Sequence, residues 1–108
     1  MEISEASSGG AHVLLLKGRL DTATVPIVEA RLMPLIQPGA RIVADIGAVN
    51  YISSAGLRLL LKAAKLARQA DARFTLAAPQ VPVREVLEIS GFDKVLGIHP
   101  TVEEAAAG

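Results

Sequence analysis

The sequence predicts an α/β fold: a mixed sheet of four to five strands, opened by an N-terminal hairpin and completed by crossover helices. Three observations carry this. Two short β-patterned runs at the start are separated by Ser8-Gly9-Gly10, a turn composition that suits a hairpin. After them, apolar runs of strand length alternate with segments of helical spacing. The 108 residues, 51% of them hydrophobic, suffice for one core and not for two, which gives a single domain over 1–108.

The hairpin strands are expected over Ile3 to Ser7 and Ala11 to Lys17, the second with a continuous apolar run, His12-Val13-Leu14-Leu15-Leu16. Gly18-Arg19-Leu20-Asp21 breaks that strand. From Thr22 to Ile36 the residues Val25, Val28, Leu32, Leu35 and Ile36 fall at helical spacing, with Pro26 suited to a first turn and Pro34 to a kink or an end. Pro38-Gly39 punctuates the chain. Arg41 to Ile46 follows as a near-continuous apolar strand, the pattern of a sheet centre, and Gly47 to Tyr51 reads as a loop.

Leu57 to Arg68 is the clearest helix. Leu57, Leu60, Leu61, Ala64 and Ala67 share one face, and Arg58, Lys62, Lys65 and Gln69 share the other. Arg73 to Ala78 is a further strand, Pro79 and Pro82 open a helix through Ile89, and Ser90-Gly91 closes it. Lys94 to Ile98 reads as a last strand. Thr101 to Ala107 is a short helix in which Thr101 and Glu104 form a capping box.

Composition excludes several classes of function. Eleven basic and eleven acidic residues cancel, and aromatics make up 3%, so both the basic field and the stacking platforms of nucleic-acid binders are missing. Zero cysteines rule out a disulfide framework, a thiolate nucleophile and a Cys-based zinc site. No secretory pattern opens the chain and no apolar run approaches the roughly 20 residues of a membrane span, so a cytoplasmic protein without direct membrane insertion is expected. His12 lies within a strand pattern, as a packed residue, and His99 precedes Pro100, as a surface one. Neither forms a Ser-His-Asp order or metal-ligand spacing, so no catalytic residue, metal or cofactor is expected.

The most informative stretch is Ser53-Ser54-Ala55-Gly56-Leu57, between the strand and the amphipathic helix. A hydroxyl here sits at a helix N-terminus, where unpaired N–H groups and the positive end of the macrodipole favour an anion. Two readings fit: Ser53 or Ser54 caps the helix, or one of them carries a phosphate. Gly56 inside the helix costs roughly 0.5–1 kcal/mol relative to Ala, and close approach of a partner or phosphate would compensate.

The stretch Asp45-Ile46-Gly47-Ala48-Val49-Asn50-Tyr51-Ile52-Ser53-Ser54-Ala55-Gly56-Leu57 resembles the strand, loop and phosphoacceptor helix start of STAS domains of bacterial anti-sigma factor antagonists. Gly18-Arg19-Leu20-Asp21, and Ser90-Gly91-Phe92-Asp93-Lys94-Val95-Leu96, are similar to two further landmarks of that family in the same order. The resemblance covers nearly the whole chain and implies a STAS-like sheet. It also implies a partner-switching regulator: the unmodified protein binds an anti-sigma factor that is also a serine kinase, and phosphorylation releases it, with a serine phosphatase as a further partner.

The family's phosphoacceptor lies two residues before the helix glycine, which selects Ser54 ahead of Ser53. Where the family usually has an acid before the acceptor, this chain has Ser53, a second hydroxyl open to a kinase. Asp21 and Asp45 fall where the family places acids near the acceptor, with Asn50, Ser53 and Gly56 beside them; ordinary turn chemistry is the other reading of both acids. Between Asp45 and Asp71 there is no acidic residue, and Arg58, Lys62 and Lys65 form either a solvated face or a docking face for an acidic partner. The alternative function is a STAS-like adaptor or subunit of a larger complex, such as a transporter, with Ser54 only a cap.

Overall fold

A computed structural model describes residues 1–107. Five strands, β1 (Glu2–Ser8), β2 (Ala11–Leu20), β3 (Arg41–Ile52), β4 (Arg73–Ala77) and β5 (Gly97–His99), form one sheet in sequential order. The hairpin β1–β2 is antiparallel and every later pair is parallel, which makes the sheet mixed, as expected. Gly9 and Gly10 take positive φ, as a two-residue hairpin turn requires.

The crossovers are helices α1 (Val25–Leu32), α2 (Ser54–Gln69) and α3 (Val81–Ile89), and α4 (Val102–Ala107) follows β5. Successive right-handed crossovers between neighbouring strands place their helices on one face. Val28 and Leu32 of α1, Leu59 and Leu60 of α2, and Val83 and Leu87 of α3 accordingly share one core with Leu14, Leu16, Ile42, Ala44, Phe74 and Leu76. Among the described residues the opposite face is covered only by α4, whose Ala105 and Ala106 pack on Ala11, Val13, Val43 and Ala77.

Several boundaries differ from expectation. Gly18-Arg19-Leu20 does not break β2, and Gly47 to Tyr51 is not a loop, because the two segments pair with each other as far as Leu20 and Ile52. Gly47 and Asn50 are poor strand formers, and β3 absorbs them as two bulges: Ile46 and Gly47 oppose Leu16 alone, and Asn50 is an extra residue between the Gly18–Val49 and Arg19–Tyr51 pairs. Burial of Val49 and Ile52 supplies the driving force.

Helix α1 begins at Val25, not Thr22, because the Asp21 carboxylate accepts hydrogen bonds from Ala23 and Thr24 N–H and holds the intervening residues in a turn. It ends at Leu32, and Met33–Leu35 continue as a 3-10 turn carrying Pro34. Pro79 lies outside α3, whose first turn holds Pro82. Phe92–Lys94 form a 3-10 turn that buries Phe92, which shortens the last strand to Gly97–His99. In α2 the buried set is Gly56, Leu59, Leu60, Ala63, Ala64 and Ala67, while Leu57 and Leu61 are half-buried at its border. His12 is exposed rather than packed, and His99 is half-buried.

Candidate functional site

The start of α2 is fixed by three local interactions. Ser53, extended at ψ 174°, is the N-cap, and its hydroxyl accepts a hydrogen bond from Gly56 N–H at 3.2 Å. Ser53 N–H donates to Leu20 C=O at 2.9 Å, which ties the cap to the end of β2. Leu57 N–H donates to Ser53 C=O at 2.9 Å and closes the first turn. The two serines therefore separate by role: Ser53 is the half-buried cap, and Ser54 is the first helical residue, exposed to solvent.

Gly56 is explained from within the domain. A Cβ there would stand 2.8 Å from Leu20 O, 2.9 Å from Leu20 Cγ and 3.0 Å from Ile52 Cγ2, closer than packed atoms allow. The ends of β2 and β3, rather than a partner or a phosphate, impose glycine. This contact holds the helix start against the sheet and leaves Ser54 facing outward.

Asp21 lies beside this start, one residue beyond the Leu20 carbonyl that anchors Ser53. Its carboxylate accepts from Ala23 and Thr24 N–H at 3.1 and 3.2 Å and faces Arg19 Nε at 3.4 Å. Desolvation raises its pKa, but hydrogen bonds from the Thr24 backbone, Arg19, the Thr24 hydroxyl and the Ala23 backbone outweigh it and hold the carboxyl below its ordinary value. The turn chemistry is thus present at Asp21 alongside its position next to the helix start.

Asp45 is placed elsewhere. Ile52 lies seven positions further along β3, on the order of 20 Å at the rise of a strand. Its side chain accepts from Gly47 N–H at 2.9 Å, at the first bulge. The extension of β3 therefore keeps Asp45 away from Ser54, whereas Asn50 lies exposed at the second bulge, four residues before Ser54.

Reading the sequence alone did not single out Arg19 and Tyr51. They are paired across β2 and β3, and the Arg19 guanidinium lies 4.2 Å from the Tyr51 ring centroid, a cation–π contact. Tyr51, two residues before the Ser53 cap, is 43% exposed, which gives the approach to α2 an apolar component. The signal lay in the strand register, which two bulges conceal from periodicity.

On the outer face of α2, Arg58, Lys62 and Lys65 border a shallow groove of about 420 Å³ floored by Leu61 and Leu66. The three cations are not equivalent. Lys62 Nζ is 2.7 Å from Glu29 of α1, whereas Arg58 and Lys65 make no ion pair among the described residues. Among the described residues no group of three or more His, Asp or Glu side chains could hold a metal ion, and no helix is long and apolar enough to cross a membrane.

Comparison with known proteins matches this arrangement to one family. The STAS domain profile fits residues 3–105. BtrV of Bordetella bronchiseptica, whose name gives it provisionally as an anti-sigma factor antagonist, is 37% identical over 108 residues, covering 99% of this chain and 93% of that protein. A structure from Thermotoga maritima, of a protein likewise named provisionally as an anti-sigma factor antagonist, superposes with a TM-score of 0.87 at 18% identity, over 97% of this chain and 92% of that one. The Bacillus anti-sigma factor antagonist SpoIIAA has been solved in unphosphorylated and phosphorylated forms. The first matches with a TM-score of 0.77 at 25% identity over 96% and 92% of the two chains, the second with 0.72 at 24% over 98% and 97%.

Proposed function

The chain belongs to the STAS domain family, and from that premise we propose that it is an anti-sigma factor antagonist whose grip on its partner is released by phosphorylation of Ser54. The observation that carries this reading is the division of labour at α2: the Ser53 hydroxyl is engaged as the cap, and the Ser54 hydroxyl is exposed at the first helical position. Relatives named as anti-sigma factor antagonists, and a family member solved in a phosphorylated form, support it.

The chemistry needs nothing from this chain beyond a presented hydroxyl. A partner that is both anti-sigma factor and serine kinase transfers the γ-phosphoryl of ATP to Ser54 Oγ. The O–P bond to ADP breaks as the new one forms, and the hydroxyl proton is lost. A serine phosphatase reverses the modification by hydrolysis. The protein itself is a binding component and not an enzyme, acting in the cytoplasm where the sigma factor operates.

The phosphate adds about −1.5 to −2 charges and three acceptor oxygens. Within the domain it sits at the end of α2 that favours anions, where Ser54 and Ala55 N–H are among the first-turn donors without intrahelical partners. Against a docked partner the same group must be desolvated and accommodated on a surface shaped for a hydroxyl. Tolerance in the free protein and exclusion from the complex together make a switch that needs no change of fold. Exposed Tyr51, three residues before Ser54, with Arg58 and Lys65 along α2, supplies the apolar and basic parts of the docking face.

Affinity capture from the source cells, with wild type and Ser54→Asp side by side, tests the reading. A kinase-like anti-sigma factor retained by wild type and lost by Ser54→Asp is the expected result. Equal capture of a transporter assembly by both proteins would replace it with the adaptor alternative. Ser54→Ala should abolish phosphate incorporation and keep binding; phosphate retained on Ser54→Ala would move the acceptor to Ser53.

A further inference from the structure

We propose that the sheet face opposite α2 carries a small-ligand site, separate from the Ser54 region, that binds a compact apolar molecule bearing a protonated amine at Asp45. The site is an open-mouthed cavity of about 730 Å³ among β1, β2 and β3 and the residue after β4, lined by Ser4, Leu15, Asp45, Gly47, Ala48 and Ala78. That volume lies in the range of ligand pockets, about 300–1,000 Å³.

The cavity exists because α4 covers only part of its face. Its alanines pack on the rungs Ala11, Val13, Val43 and Ala77. Leu15 and Asp45, a pair on the following rung of β2 and β3, lie at the border and are half-buried. What remains is an apolar floor with one carboxylate in it.

Asp45 decides the ligand class. Its Oδ1 accepts from Gly47 N–H, while Oδ2 has no hydrogen-bond partner among the described residues. No Lys, Arg or His reaches it within ion-pair distance among the described residues. At the rim, Lys17 Nζ lies 3.8 Å from Glu2 Oε2, so these two charges offset each other. The cavity's net charge is therefore that of Asp45, and an ammonium with an apolar body complements both charge and floor.

Two backbone irregularities meet at the same place. The first bulge of β3, at Ile46-Gly47, interrupts regular pairing directly after the Leu15–Asp45 rung. Ala78, at the carboxyl end of β4, takes φ +58°, an uncommon conformation for a residue with a Cβ. It is pinned there by its N–H donating to His99 C=O at 2.8 Å, and Gln80 Nε2 donates to Gly47 C=O at 3.0 Å across the same edge. A bulge and a left-handed non-glycine residue bordering one cavity fit a built binding site better than a gap in packing.

The test is an amide-detected NMR titration of the isotope-labelled full chain with tryptamine, indoleacetate and ethylindole, which share a ring and differ in charge. Tryptamine should give saturable shifts at Leu15, Asp45, Gly47, Ala48 and Ala78 with millimolar affinity, the range expected of about a dozen heavy atoms. Indoleacetate should bind at least about tenfold more weakly, and Asp45→Asn should weaken tryptamine by a similar factor while leaving ethylindole unchanged. If Asp45→Asn fails to fold, Ala48→Phe serves instead: it fills the mouth from an exposed position and should abolish the tryptamine shifts. No saturable shift at these amides up to about 10 mM would overturn the site, as would equal binding of amine and acid or persistence of the shifts in Ala48→Phe.

Discussion

At the scale of the residue, two adjacent serines with the same side chain do different things because one is extended and the other helical. Ser53 can reach Gly56 N–H only from the N-cap position, and this leaves Ser54 without a structural duty. Ser53→Ala should therefore destabilise the fold by about 0.5–2 kcal/mol in chemical denaturation, and Ser54→Ala should stay within about 0.5 kcal/mol of wild type. Equal losses would mean that the two hydroxyls share the cap. Asp21 gives a pH signature at the neighbouring turn. Because its folded carboxyl titrates below its ordinary value of 3.8, its stabilisation is fully present above that value and is lost as pH falls through the lower, folded one. The stability gap between wild type and Asp21→Asn should accordingly close under acid, which denaturant midpoints measured from neutral pH down to pH about 3 will show.

At the scale of the element, the strand-helix alternation, the hairpin and the position of α2 were legible because each rests on local spacing. The end of β2 and the second half of β3 were not. Gly18, Gly47 and Asn50 carry turn chemistry, and only the pairing of the two segments, with two bulges, turns them into strand. The same pairing removed Asp45 from the vicinity of Ser54 and brought Arg19 against Tyr51. Gly56 was legible as an anomaly but not in its cause, since the clash with Leu20 and Ile52 arises between distant segments. Two residues past the end of α2, Asp71 takes φ 56°, with Ala72 N–H donating to Ala67 C=O at 2.7 Å and Asp71 N–H to Arg68 C=O at 3.3 Å, a Schellman arrangement in which glycine is preferred. Asp71→Gly should raise stability by roughly 0.5–1 kcal/mol, read as a thermal midpoint higher by a few degrees. On the outer face of α2, charge reversal at Arg58 and Lys65 should slow partner association and flatten its salt dependence, whereas reversal at Lys62 also breaks its 2.7 Å pair with Glu29 and should lower stability by less than about 1 kcal/mol. Association rates that none of the three reversals changes would assign this face to solvent alone.

At the scale of the whole molecule, the fold puts the two proposed sites on different faces. One face buries the core beneath α1, α2 and α3 and presents Ser54 at its upper edge; the other is thinly covered by α4 and opens beside Asp45. The helix start that carries Ser54 is braced by Leu20 and Ile52, so a phosphate there alters the surface of the protein and not its framework. On the proposed reading, this surface change alone releases the partner. The most direct measurement is the Kd of the captured anti-sigma factor for the unmodified protein and for protein stoichiometrically phosphorylated at Ser54, with thermal unfolding of both forms as a check on the fold. Affinity at least about tenfold weaker after phosphorylation, with the unfolding midpoint held within a few degrees, is the predicted result. Equal affinity of the two forms would mean that phosphorylation of Ser54 does not release the partner.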